Sequence, residues 1–278
     1  MPARIDPHIL YEASVQGTET DIAFIERVWR RHHPGKAVPL RLREDFCGTA
    51  LLACEWVRAH SQHEAPREAL GVDLHAPTLD WCRRHRRATL PHPDRLTLHC
   101  ADVLTVNTPP ADVVAALNFS YLIFRERHQL RRYFQAVFKA LVPGGLFLLD
   151  LFGGPNAQKT MTEEKQVPAG KDINGRPYPA FTYQWDQARF NAVDSHIRCH
   201  IHFSGKNIHP RKKAFTYAWR LWGLSEIRDL LHEVGFTTVD TYFEGWSDEH
   251  HATDGVFRRR TQYEDMDAWV AYLTAFRP

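Results

Sequence analysis

The 278-residue chain lacks the features that mark several common classes of protein. It has no apolar run of the ~18 residues needed to span a bilayer. Its start, MPARIDPHILYEASVQ, lacks the basic-then-apolar order of a signal peptide, so the reading is cytoplasmic with no membrane partner. The five cysteines, Cys47, Cys54, Cys82, Cys100 and Cys199, form no CxxC pair and, being odd in number, suggest no disulfide framework. They are expected to be mostly buried thiols. Seventeen histidines, including the pairs at 32–33 and 250–251, make no HExxH or similar spacing, so no metal is expected. A net charge of +2, from 35 basic and 33 acidic residues, carries no general nucleic-acid signature. RRHRR (83–87) and RRR (258–260) are the only dense basic clusters, and the first reads as a solvated helix face.

What is present is 44% apolar residues, 12% of all residues being aromatic, enough for a sizeable core. The first half alternates short apolar runs with helical patterns, the pattern of βαβ units on a parallel sheet. Strands are predicted near 40–44, 69–73, 95–102, 111–120 and 146–152, the last buried on both faces. Thr49 is the expected N-cap of the first helix after the sheet begins. ERHQLRRYFQAVFKAL is the clearest helix, with Leu130, Phe134, Val137, Phe138 and Leu141 on one face, stopped by PGG at 143–145. Residues 153 to about 178 read as a mobile loop, and 181–191, 196–203 and 213–222 as three antiparallel strands. A helix, LSEIRDLLHEVGF, and the strands TVDTYFEG and AWVAYLTAF, joined by a polar link, complete the chain.

In open α/β sheets ligands bind beyond the carboxyl ends of the strands. Those ends carry Glu44 to Thr49, Asp73, Asp102 with Val103, Asn118 to Tyr121, and Asp150. A carboxylate at Asp73 can accept from both hydroxyls of a ribose, and one at Asp102 from an exocyclic adenine amine. A dinucleotide would need GxGxxG, whereas the turn EDFCGTA has one glycine, Gly48, and two acids that would repel phosphate. An adenosine compound without phosphate and with positive charge fits better, and S-adenosylmethionine has both properties.

With these residues in place the chain resembles the class I S-adenosylmethionine-dependent methyltransferases. EDFCGTA matches their acid-x-Gly-x-Gly-x-Gly motif, with Phe46 and Ala50 in two glycine places; GVDL, CADV and the pre-strand Pro143, Gly144 and Gly145 match in order. The resemblance covers about residues 40–152 and 222–276. It implies a Rossmann-like seven-stranded sheet with the last strand antiparallel, plus a small antiparallel β insert. The implied division is an N-terminal helical lid (1–39), the cofactor domain (40–152 and 222–278), and a loop with substrate cap (153–221). Glu44 would lie near the methionine end, with backbone groups around Phe46, Cys47 and Gly48. Asp73 with Leu74 would hold the ribose side, Asp102 and Val103 the adenine, and Asn118 with Phe119 the methionine amino group. Tyr11 and Gln16 are the lid residues. Phe46 is expected to pack under the turn.

NFSY (118–121) loosely resembles the Asn-Pro-Pro-Tyr segment of amino-methyltransferases, which makes Asn118 and Tyr121 candidate catalytic residues. On the insert, Tyr183, Trp185, Gln187 and Arg189 are expected to share one side, and His196, Arg198, His200 and His202 one side of the next strand. Trp185, Arg189, Arg198, Arg220 and Trp222 are the substrate candidates, and His200 a general base. The order of elements favours a small-molecule amine or hydroxyl acceptor. The alternatives are an N-methyltransferase acting on nucleic acid or protein, a NAD(P)-binding oxidoreductase, and a non-catalytic binding protein. Oligomeric state is open, a homodimer included.

Overall fold

The computed structural model describes residues 4–35, 38–59, 65–247, 252–264 and 266–278; His250 and His251 lie outside the described residues. In chain order the elements begin with α1 (Pro7–Val15), α2 (Thr18–His32), β1 (Arg41–Asp45), α3 (Leu51–Arg58), β2 (Glu68–Asp73) and α4 (Ala76–His85). Next come β3 (Leu96–Cys100), β4 (Ala111–Ala116), α5 (Arg127–Ala140) and β5 (Leu141–Gly153). Then follow β6 (Met161–Val167), β7 (Gly170–Lys171), β8 (Pro177–Tyr178), β9 (Phe181–Asn191), β10 (His196–Ser204) and β11 (Arg211–Arg220). The chain ends with α6 (Leu224–Val234), β12 (Thr238–Ser247), β13 (Ala252–Arg259) and β14 (Trp269–Phe276). Two compact units result. The sheet unit comprises Gly17–Tyr121, Glu126–Phe152 and Gly223–Pro278; the insert unit takes the chain up to Gln16, Leu122–Arg125 and Gly153–Trp222. The long helix α2 thus belongs with the sheet, and α1 with the insert.

The sheet unit is built on one sheet of strand order β13-β12-β14-β5-β4-β1-β2-β3. β3, β2, β1, β4 and β5 pair in parallel, and β12 is antiparallel to both β14 and β13. Val113 to Ala116 on β4 and Leu146 to Leu149 on β5 are fully buried, because βαβ crossovers cover both faces of central strands. The order reverses between β1 and β4, which opens a crevice at their carboxyl ends. Among the described residues the sheet has eight strands, one more than expected: β13 pairs along β12 within the stretch read as a polar link. As an edge strand it needs no strong apolar signal, having one neighbour and mostly exposed side chains.

Three local expectations are corrected. Thr49 does not cap α3: the N-cap is Ala50, left-handed at φ 54°, without a side-chain cap bond. The work is done from a distance, since Glu44 on β1 accepts the Ala53 amide at 2.9 Å. The PGG segment does not end α5, which stops at Ala140; it lies inside β5. The supposed loop 153–178 holds β6, which pairs with β9 and gives the insert sheet four strands in the order β11-β10-β9-β6.

Helix α5 starts with a reciprocal capping box between Glu126 and Gln129, and buries Leu130, Tyr133, Phe134 and Val137. The Phe134 ring centroid lies 5.7 Å from that of Phe147 and 6.2 Å from that of Tyr121. Phe134→Ala should cost about 3–5 kcal/mol of stability in urea denaturation, since a buried ring leaves a cavity under the central strands.

Candidate functional site

Each parallel strand ends on a turn whose backbone amides need partners. After β1 the chain is left-handed at Phe46 (φ 56°), Gly48 (φ 52°) and Ala50 (φ 54°). These are the three glycine places of the motif, and two of them hold residues for which this conformation costs about 1–2 kcal/mol each. The turn is secured from neighbouring strands. Cys47 N–H donates to the Val72 carbonyl at 3.0 Å and Gly48 N–H to Asp73 Oδ2 at 2.9 Å. The Phe46 ring is half-buried, its centroid 5.4 Å from that of Tyr133 on α5. A Cβ placed on Gly48 would meet nothing within 4 Å, so open space lies beside it.

The two adjacent acids have separate duties. Asp45 is buried, accepting from Arg43 Nε at 2.7 Å and from the Tyr133 hydroxyl at 3.0 Å. Arg43 also donates to the Val103 carbonyl at 3.3 Å, tying β1 to the loop after β3. Asp45 is therefore internally paired. Glu44 is pushed up to about 8, chiefly by burial, with the Ala53 N–H pulling the other way.

Asp73 accepts the Gly48 and His75 amides on its two oxygens, the second at 2.7 Å, and is only half-buried. Leu74 beside it is 67% exposed. Asp102 accepts the Leu104 amide at 2.9 Å, and Val103 is buried. After β4, Asn118 (φ 57°) and Phe119 (φ 58°) are both left-handed, and their amides donate to the two oxygens of Asp150, each at 2.8 Å. Burial pushes Asp150 up to about 7 against those two bonds.

Asp21 on α2, absent from the sequence-derived set, is also buried; it accepts a hydrogen bond from the Tyr272 hydroxyl and is pushed up to about 6 by burial. Its charge raises both Glu44 and Asp150. The signal was available: Asp21 stands in register with Ile25 and Val28 on the buried stripe of an amphipathic helix, where an acid is out of place.

Two expected roles in this unit do not survive. Tyr121 is fully buried and its hydroxyl donates to the Asp150 carbonyl at 2.8 Å, so it braces the turn and cannot touch an acceptor. Cys47 is buried, its amide held by Val72 and its carbonyl accepting from Ala50 N–H at 2.7 Å. Its thiol is therefore out of reach of a ligand, and any part it takes in binding is through the backbone of the turn.

In the insert unit a bulge separates residues expected together. Gln187 pairs with Cys199, yet Arg189 pairs with Arg198, so one extra residue intervenes on β9. Arg189 is thereby moved off the side of Tyr183, Trp185 and Gln187. One face of the sheet is aromatic: Trp185 and Tyr217 are 6.2 Å apart, Tyr217 stacks on Trp219 at 4.3 Å, and Tyr11 of α1 lies 4.9 Å from Phe215. The other carries Arg189, Arg198, His200 and His202. His200 is buried, with Nδ1 2.8 Å from Thr216 Oγ1, and burial lowers its pKa; His202 faces Asp186 at 3.3 Å. The arginine–histidine set and Trp185 therefore cannot line one pocket on one face. Trp222 is buried, donating to the Phe124 carbonyl at 3.1 Å, and Arg220 lies 3.7 Å over its ring while donating to the Arg125 carbonyl. This pair anchors β11 to residues 122–125 and is not an acceptor surface.

No family model and no curated protein sequence matches the chain. Solved structures do, over nearly its whole length. An amino-pentose methyltransferase from Micromonospora echinaspora involved in calicheamicin biosynthesis, solved with S-adenosylmethionine bound, superposes with a TM-score of 0.66 at 16% identity, covering 100% of this chain and 99% of its own. A sugar N-methyltransferase from a Streptoalloteichus species gives 0.63 at 17% identity (100% and 94%). An S-adenosylmethionine-dependent methyltransferase from Clostridium acetobutylicum gives 0.64 at 16% identity (97% and 95%). The chain has the Rossmann-like fold of the class I methyltransferases, with an antiparallel insert sheet.

The acid at Glu44 has a measurable signature. With its folded pKa near 8 and its ordinary value near 4.5, folding takes up a proton between those limits. Its contribution to stability is complete below about 4.5 and is lost as pH rises through about 8, by up to ~1.4 kcal/mol per pH unit. Glu44→Gln, which can still accept the Ala53 amide, should lose less stability than the wild type between pH 5 and pH 8 in urea titrations.

Proposed function

We propose that the protein transfers a methyl group from S-adenosylmethionine to a small-molecule amine or hydroxyl acceptor, with an amine on a sugar-like ring the favoured case. The observation that carries this reading is the open space beside Gly48, whose amide is held by Asp73 next to the exposed Leu74. Its donors and acceptors fit the group. Asp73 has lone pairs left for ribose hydroxyls after its two amide bonds, Leu74 offers apolar surface to a base, and Asp102, before the buried Val103, can accept from the adenine amine. Asn118, held left-handed by Asp150, presents its carbonyl to the methionine ammonium. Glu44, Asp21 and Asp150, all raised by burial, would ionise more readily beside a cationic ligand, whose charge offsets the desolvation they suffer. The Thr49 hydroxyl, buried without a partner among the described residues, awaits one in the same turn. S-adenosylmethionine, when bound, supplies an electrophilic methyl on a sulfonium centre.

The chain's own contribution is placement and exclusion of water, which in favourable intramolecular cases is worth about 7–11 kcal/mol. An amine needs no dedicated base. Acceptor recognition is assigned to the insert, on its aromatic face, where Trp185 and Tyr217 suit a sugar ring or an ammonium group. The names of the matched sugar and amino-pentose enzymes favour the same acceptor class. Tyr11, expected as a lid residue, packs within the insert unit, sharing a hydrogen bond with Tyr217 and lying 4.9 Å from Phe215. The polymer N-methyltransferase reading leaned on Tyr121 and loses that support with its burial.

Calorimetry should find micromolar binding of S-adenosylmethionine and S-adenosylhomocysteine, weakened at least tenfold, about 1.4 kcal/mol, by Asp73→Ala. S-adenosylmethionine binding should tighten from pH 6 to pH 8 as Asp150 and Glu44 ionise, and Asp150→Asn should flatten that rise. Absence of saturable binding at high micromolar ligand, or saturable NAD(P) binding in its place, would overturn the reading.

A further inference from the structure

The basic cluster at 258–260 has no part in the site described above. In the fold it meets a second set of arginines. Helix α2 presents Arg27 and Arg31, one helical turn apart and both exposed, toward the edge hairpin β12–β13. Together with Arg258, Arg259, Tyr242 and Phe257 they line a cavity of about 510 Å³. That volume lies within the ~300–1,000 Å³ of small-molecule sites.

The placement follows from the strand register. Tyr242 pairs with Arg259, and Phe257 precedes Arg259 by two residues, so all three point to the face covered by α2. The Phe257 ring lies 6.0 Å from Phe24 of that helix and stacks on Tyr272 at 4.0 Å, forming a rigid apolar floor. Arg258 also lines the cavity, although it pairs with Phe243 on the other parity of the hairpin.

Charge bookkeeping leaves a surplus. Arg258 is paired with Asp254 and Arg259 with Asp240, each at 2.6 Å. Arg27 donates to the Phe257 carbonyl, which orients the guanidinium without neutralising it. Arg31 has no ion pair among the described residues. Among the described residues Asp254 and Asp240 pair with two of the four guanidiniums and Glu244, opposite Phe257, accepts the Gly255 amide, so the balance stays positive over a floor of aromatic carbon, and the two paired guanidiniums keep further N–H donors. Planar guanidinium forks converging from two elements match the geometry of phosphoryl oxygens.

We propose that this cavity is a binding site for a pyrophosphate group, either free or carried by a nucleoside diphosphate, separate from the methyl-transfer site. The residues that make it, on the outer part of α2 and on β13, include none of those assigned to the cofactor.

The test is calorimetric titration of the full-length protein with inorganic pyrophosphate and, in parallel, with adenosine diphosphate, at low and moderate salt. Both should bind with Kd below about 1 mM, more weakly as salt rises. Arg31→Glu should weaken each at least tenfold, and Arg27→Ala, a milder change on the same exposed face, should weaken each severalfold. Unaltered circular dichroism and S-adenosylmethionine affinity in both variants would separate this site from the cofactor site. Tighter binding of the diphosphate ester than of pyrophosphate assigns the group to a nucleotide; equal binding assigns it to the free anion. No saturable binding of either ligand, or unchanged affinity in both variants, would overturn the proposal.

Discussion

Parallel strands deliver their ends to one side of the sheet and leave the turns there with amides that no ladder satisfies. In this protein carboxylates take them up. Glu44 holds Ala53, Asp73 holds Gly48 and His75, Asp102 holds Leu104, and Asp150 holds Asn118 with Phe119. The same four acids that suit an adenosine cation therefore build the turns that would surround it. Their price is desolvation, visible in the raised values of Glu44 and Asp150, and a positively charged ligand would relieve it.

That double duty explains a turn with a single glycine. Phe46 and Ala50 keep the left-handed conformation of the glycines they replace, because the bonds from Glu44 and Asp73 fix the backbone on either side of them. The Phe46 ring finds Tyr133, which is itself held by Asp45, so the second acid of the pair supports the turn from beneath.

The parts of the fold that could be read from residues were those where burial imposes a pattern. The apolar runs of β4 and β5 and the stripe of α5 are unambiguous, since each packs on a covered sheet. β6 and β13 were invisible because edge strands with exposed side chains leave no periodic record; Gly- and Pro-rich flanks made the surroundings of β6 resemble a loop, and charged flanks those of β13 a polar link. In the site, the strand-end acids were legible from order alone. Asp21 was legible only as an acid out of place on the apolar stripe of α2; its partner Tyr272 is 251 residues away, and nothing local marks that pairing. Tyr121 misled for the opposite reason: a local motif suggested chemistry, while its hydroxyl was committed to a strand 29 residues on.

The bulge on β9 is a matter of one residue, yet it decides which chemistry each face of the insert displays. Upstream of it the aromatic side chains keep one parity; downstream, Arg189 joins Arg198 on the other. Regular pairing past Gln187 would set Ala188 opposite Arg198 and return Arg189 to the side of the rings; the extra residue is what keeps that guanidinium away from them.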